Sequence, residues 1–148
     1  MPNTFTNLLY HVIFSTKDRK QFIAPEWQDE LYAYIGGIVR NLGGTQLAAG
    51  GIADHVHLLL KLRPATALSD ALAKIKANSS KWINDEKFPD RRFAWQEGYA
   101  AFSVSESAVD DVRSYIANQE EHHRRMSFRD EMIAFFEKHG IEYDPRYL

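Results

Sequence analysis

Two histidines one residue apart open the apolar run Asp54-His55-Val56-His57-Leu58-Leu59-Leu60. In a strand alternate side chains share a face, so His55 and His57 emerge on one side, about 7 Å apart along the backbone, and can reach one ion. Neutral imidazole is a ready metal ligand, yet two do not complete a site. Further along, Tyr115 and Gln119 are four residues apart in a helical pattern, stacked one turn from each other at the edge of the buried stripe marked by Val112. A helix on the histidine side of the sheet could present this phenol and amide oxygen to the pair. The chemistry open to such a set is phosphoryl transfer, with a cation drawing charge from a phosphate oxygen while the tyrosine oxygen attacks phosphorus. A phenol ordinarily titrates near 10, so forming the phenolate at pH 7 costs about 4 kcal/mol, which a nearby divalent cation would offset. Each part also has a structural reading. A histidine pair can be a half-polar strand face, Tyr115 a boundary tyrosine beside Val112 and Ile116, and Gln119 a surface amide; spacing alone leaves both readings open.

The 148 residues, 45% apolar and 13% aromatic, suit one core-bearing domain spanning residues 1–148. The sequence has no cysteine, which excludes disulfides, thiolate metal sites and cysteine catalysis, so any metal uses N and O ligands. No apolar run approaches the roughly 20 residues that span a bilayer, and no charged-then-apolar leader opens the chain, so a soluble, cytoplasmic protein is expected. The net charge of −2 and pI near 6.3 argue against coating nucleic acid by bulk electrostatics. Local clusters can still meet phosphates: Lys17, Arg19 and Lys20 after the first strand, Arg91 and Arg92 in a loop, Arg124 and Arg125 after a helix.

The elements that must position these residues follow from periodicity. Residues 8–16 are apolar on both faces, with Tyr10, Val12 and Phe14 on one side and Leu9, His11 and Ile13 on the other, as in an inner strand. Pro25 stands at a favourable first helical position, and Trp27, Leu31, Ile35, Ile38 and Leu42 keep helical spacing up to Gly43-Gly44. Residues 45–53 read as a second strand in which Gly50-Gly51 marks a bulge or a close approach by another backbone or a ligand. With the strand at 55–62 it makes an antiparallel hairpin. A second helix is expected over 66–88, with Lys76 bordering its buried stripe, then a short strand at 93–95 and a fourth main strand at 99–105. The order predicts an α+β, ferredoxin-like (split β-α-β) antiparallel sheet with helices packed against it. A third helix is expected from the capping pattern Ser107-x-x-Asp110 to about His123. A last one starts at Ser127-x-x-Asp130, buries Phe128, Met132, Phe135 and Phe136, and stops at Gly140. The aromatic tail, 141–148, is expected to dock back on the domain.

The chain resembles the single-tyrosine HUH transposases of the insertion sequence 200-like type, including those associated with repetitive extragenic palindromes. The resemblance runs through Tyr10-His11-Val12-Ile13-Phe14-Ser15-Thr16-Lys17, Asp54 to Leu60, Lys76-x-x-Ser79-Ser80, Trp95-Gln96-Glu97-Gly98-Tyr99-x-x-Phe102-Ser103-Val104-Ser105, Tyr115-Ile116-x-Asn118-Gln119 and the tail Gly140-Ile141-Glu142-Tyr143-Asp144-x-Arg146-Tyr147. It implies a domain, usually a homodimer, that recognises DNA hairpins and cuts and rejoins single-stranded DNA with Mg²⁺ or Mn²⁺. His55 and His57 would be metal ligands and Tyr115 the nucleophile, leaving a 5′-phosphotyrosine and a free 3′-OH. Gln119 matches the third ligand; His122, seven residues after Tyr115, is the alternate. The tyrosine helix can come from either subunit in the family. Lys17, Arg19, Lys20 and Lys76 are the expected DNA contacts. Two other readings stay open: a domesticated, non-cleaving hairpin binder, and a metal-dependent phosphoesterase in which an activated water attacks.

Overall fold

The structure, a computed structural model, describes residues 3–148. Strands β1 (Leu8–Ser15), β2 (Thr45–Ile52), β3 (His55–Leu62) and β4 (Ala100–Val104) form one antiparallel sheet in the order β2-β3-β1-β4. Helices α1 (Gln28–Asn41) and α2 (Leu68–Glu86) supply the two long crossings, and α3 (Val109–Ala117), α4 (Gln119–His123) and α5 (Phe128–Lys138) follow the last strand. This is the expected α+β, ferredoxin-like arrangement.

Strand alternation sorts the side chains into two layers. Val12, Phe14, Val56, Leu58, Leu60 and Leu62 pack beneath α1 and α2, against Leu31, Ile35, Val39, Leu72, Ile75 and Ile83. On the opposite face Ile13 and Phe102 pack against Met132, with Phe128, Phe135 and Phe136 around them. β1 lies between β3 and β4 and is covered on both sides, because its sequence is apolar on both faces. The even-numbered positions of β3 fill the first layer, so His55 and His57 belong to the second.

Besides a first helix that begins at Gln28 and not at Pro25, four local features differ from the spacing. The segment 93–95 makes only one bridge, Thr16 to Trp95. Side chains of α2 satisfy it instead of a ladder: Asn84 Nδ2 donates to the Phe93 carbonyl and the Phe93 N–H donates to Asn84 Oδ1, both at 3.0 Å, while the Trp95 indole donates to Ser79 Oγ at 3.0 Å. Asn84→Ala leaves both polar groups of a buried residue without partners and is expected to lower stability by about 1–3 kcal/mol, read as a lower urea midpoint. Second, the register slips between Gln46 and Ala48, so the bulge in β2 lies there and not at Gly50-Gly51. Third, Ser107 does not cap α3; its hydroxyl faces Ser105 Oγ at 3.1 Å, and a tight turn over Glu106–Ala108 leads into the helix. Fourth, the single helix expected up to His123 breaks at Asn118 (φ −101°, ψ 22°), whose N–H donates to the carbonyls of Ser114 and Tyr115. Asparagine is a weak helix former that readily takes such a position. By contrast, the expected cap of α5 is made: Ser127 Oγ accepts from the Asp130 N–H at 3.1 Å. The tail also returns, with Leu148 on the Phe102/Met132 cluster and Tyr143 against Phe136.

Candidate functional site

β3 carries His55 and His57 into the layer roofed by α3, α4 and α5, and both are fully buried. Each ring is held from behind. His55 Nδ1–H donates to Asp54 Oδ1 at 2.7 Å, which fixes the tautomer and turns Nε2 inward. His57 Nδ1 lies 2.8 Å from His11 Nε2 on β1, which turns its own Nε2 to the same side. Burial, together with the neighbouring His57, pushes His11 down to about 3; burial also pushes His57 down to about 4, against the pull of Glu131, so both are neutral near pH 7.

Onto the two Nε2 atoms the helices bring a set that spacing only partly identifies. Gln119 Oε1 lies 3.2 Å from His55 Nε2, while the other amide atom, Nε2, donates to the Tyr115 carbonyl at 3.2 Å. Glu131 Oε1 lies 3.2 Å from His57 Nε2 and 3.6 Å from His55 Nε2. His123 Nε2 is 3.1 Å from Gln119 Oε1 and 3.2 Å from Glu131 Oε1. The Tyr115 hydroxyl donates to Glu131 Oε2 and lies 3.1 Å from His122 Nε2. The structure therefore gathers His55, His57, Gln119, Tyr115 and the alternate His122, and adds His11, His123 and Glu131.

The missed residues had signals. His123 is four positions after Gln119 and so on its face; His122, the alternate ligand by spacing, meets the Tyr115 hydroxyl. Glu131 interrupts the inner stripe of α5, three after Phe128 and four before Phe135, and a carboxylate on a buried helix face needs a partner. His11 was legible as an inward polar residue on β1, and the split β-α-β order places β1 beside β3, but the register that sets its ring against His57 has no signal in the spacing.

Glu131 dominates the electrostatics. It is 1% exposed, and burial alone would raise its carboxyl, but hydrogen bonds from His123, His57 and Tyr115 hold it well below the usual carboxylate range. The same contact raises the others: burial and the bond to Glu131 push Tyr115 above an ordinary phenol, and for His123 Glu131 outweighs burial and moves the imidazole up. Tyr115 thus rests as a phenol whose proton points at a carboxylate.

One ligand atom from each of His55, His57, His123 and Glu131 lies within 4.8 Å of the others. Imidazole nitrogens and a carboxylate oxygen converging at this spacing fit a divalent cation, and the rings are oriented by groups behind them as in metal centres. A cavity of about 440 Å³ opens beside this cluster, lined by His11, Val112, Tyr115, His122, Glu131 and Phe135 among others. It gives the Tyr115 side of the site room for a ligand while the histidine side stays closed.

The expected DNA contacts divide. Lys17 and Lys20 are exposed in the turn after β1. Arg19 lies 4.9 Å over the Phe128 ring, which is itself 4.5 Å from the His55 ring, so this basic turn sits at the His55 end of the site. Lys76 is otherwise engaged: its ammonium donates to the carbonyls of Gln96 and Gly98 at 2.7 and 2.6 Å and ties the loop before β4 to α2. Arg124 and Arg125 pair with Glu120 and Glu121, and Arg91 and Arg92 with Asp85 and Asp90.

Packing around α3 explains how Tyr115 comes so close. Gly50 on β2 lies opposite His57 in the register, so a side chain at 50 would share the histidine face. A Cβ there would stand 2.4 Å from the Ile116 carbonyl oxygen. The second of the two readings of Gly50-Gly51 therefore holds at Gly50: another backbone comes close, and it belongs to the tyrosine helix.

Among the described residues no helix is long and apolar enough to cross a membrane. The family of IS200-like transposases matches residues 4–119. The transposase for insertion sequence element IS200 of Salmonella typhimurium is 28% identical over 129 residues, covering 80% of this chain and 81% of that one. The ISDra2 transposase TnpA of Deinococcus radiodurans is 27% identical over 117 residues, covering 76% and 84%. Among solved structures, a candidate transposase from Deinococcus radiodurans superimposes with a TM-score of 0.64 at 29% identity, over 79% of this chain and 94% of that one. A REP-associated tyrosine transposase bound to a REP hairpin shares the fold, with a TM-score of 0.62 at 13% identity, over 82% and 72%. The antiparallel sheet with helices packed on it is thus the fold of solved transposases, and the chain belongs to the IS200-like transposase family.

Proposed function

We propose that this transposase binds hairpin-containing single-stranded DNA and cuts and rejoins it with Tyr115 as the nucleophile. The observation that carries the reading is the position of the Tyr115 hydroxyl, held at the histidine cluster within one chain. His55, His57 and Gln119 would hold the cation, Mg²⁺ or Mn²⁺. When bound, it would draw charge from a phosphate oxygen and favour the phenolate.

The residues of the chain account for the rest. The Tyr115 oxygen attacks phosphorus, an O–P bond forms to the tyrosine, and the bond from phosphorus to the 3′ oxygen breaks. The products are a 5′-phosphotyrosine and a free 3′-OH. The phenol proton is aimed at Glu131 Oε2, and a proton ends on the leaving 3′ oxygen; rejoining runs the same exchange backwards. Gln119 fixes the tyrosine turn through its bond to the Tyr115 carbonyl. His11 and Asp54 keep the imidazoles aimed inward. The exposed Lys17 and Lys20, with Arg19 beside them, would meet the DNA backbone next to the site. The REP-associated relative bound to a hairpin supports a hairpin as the partner. A homodimer, implied by the resemblance, belongs to the same reading and is measured by light scattering.

The test is to incubate the protein with a single-stranded hairpin carrying flanking sequence and Mn²⁺, then denature. A DNA adduct that resists denaturation and maps by mass spectrometry to the peptide containing Tyr115 is expected, and EDTA should prevent it. Cleavage with no adduct, or an adduct on another residue, would overturn the reading.

A further inference from the structure

Glu131 lies beyond the family match, which ends at residue 119, and is brought in by α5, whose start is pinned by the Ser127 cap. Among the described residues its ion-pair partners are all histidines, of His55, His57, His122 and His123, with no lysine or arginine. An anion this deeply buried is expensive unless cations or several donors surround it. The donors present do not suffice at one point. His55 has spent its N–H on Asp54, so in its neutral form Nε2 carries a lone pair. That lone pair faces Gln119 Oε1 at 3.2 Å and Glu131 Oε1 at 3.6 Å, and both are acceptors, because the Gln119 amide is oriented by its donation to the Tyr115 carbonyl. His55 Nε2 is thus left facing two acceptor oxygens that His123 Nε2 reaches at 3.1 and 3.2 Å, and a cation in place of the imidazole protons there would satisfy all of these atoms at once.

We propose that Glu131 is a direct ligand of the catalytic cation, its Oε1 completing a donor set with His55, His57 and His123. The proposal rests on the reading that the histidine pair binds a divalent ion, and it assigns the site's charged ligand to α5. A carboxylate is a better partner for a hard cation such as Mg²⁺ or Mn²⁺ than the Gln119 amide, and it neutralises half of the ion's charge. Since Glu131 Oε2 holds the Tyr115 hydroxyl, one side chain would then touch both the ion and the nucleophile.

Isothermal titration of the full chain with Mn²⁺ alone tests this without any DNA. Glu131→Gln is expected to raise the Mn²⁺ Kd by about 10–100-fold or more, beyond the effect of Gln119→Ala. Glu131→Leu, which exchanges the buried charge for an apolar group of similar size, should give the same loss and covers the case in which the amide variant folds poorly. His55→Ala separates the two levels. If His55→Ala abolishes binding while the Glu131 variants bind within twofold of wild type, Glu131 is no ligand and the proposal fails alone. If His55→Ala also binds like wild type, the ion does not sit on the histidine pair, and the underlying reading fails with it.

Discussion

Tyr115→Phe is expected to abolish the covalent protein–DNA adduct while the variant still folds and still binds the hairpin. The substitution removes one oxygen and leaves the ring, which packs between His57, Phe135 and His122 with centroid distances of 5.7, 5.6 and 5.0 Å. The hydroxyl's two partners keep each other, since His122 Nε2 is 3.3 Å from Glu131 Oε2. The loss in stability is therefore about 1 kcal/mol or less, the size of one hydrogen bond, and a thermal melt should show it. No other hydroxyl or thiol replaces the lost nucleophile in the cluster, so the adduct falls to background. Gel shift with the intact hairpin should stay near wild type, because the basic turn at Lys17, Arg19 and Lys20 does not depend on Tyr115. The comparison also separates two chemistries. If an activated water were the attacking group, Tyr115→Phe would keep most of its cleavage and yield free ends only, and Tyr115 would be a packing residue of α3.

The parts of the site that could be read in the sequence are those set by one element's own period. His55 and His57 share a face because a strand alternates, and Tyr115 and Gln119 share one because a helix turns. The strand at 55–62 was legible to the residue, and the sheet order followed from the succession of strands and helices. Glu131 and His11 were not, because their roles depend on how elements meet: the register of β1 on β3 that sets the His11 ring against His57, and α5 laid over both strands. The break at Asn118 was likewise invisible to periodicity, since a continuous helix and a broken one bury Ile116 equally well. It nonetheless decides where His122 and His123 point, one to the tyrosine hydroxyl and the other to the ligand cluster. Lys76 is a different case: a cation beside a buried stripe reads as a phosphate contact, and in the structure its ammonium is held by two loop carbonyls, which spacing does not show.

Gly50→Ala should impair the reaction without touching any group that performs it. Its Cβ would stand 2.4 Å from the Ile116 carbonyl oxygen, 3.0 Å from Ile116 Cγ2 and 3.2 Å from the Ile116 carbonyl carbon. Two of these are backbone atoms, so no side-chain rotation relieves the overlap, and α3 or β2 must move by about an ångström. Overpacking of this kind costs about 1–3 kcal/mol. Tyr115 is the residue before Ile116, so whatever lifts the Ile116 carbonyl carries the nucleophile away from His57 and Glu131. A misplacement of about 1 Å at a reacting group can cost about 10²-fold in rate, so adduct formation should slow by that order in protein that is still folded at the assay temperature. Gly37→Ala in α1 is the control: its added Cβ meets only the end of the Arg40 side chain, at 3.6 Å, within a helix where alanine is favoured. That variant should match or exceed wild-type stability by up to about 1 kcal/mol and keep the full rate. If Gly50→Ala forms the adduct as fast as Gly37→Ala, the reaction does not require α3 to sit against β2, and the close approach at Gly50 serves packing alone.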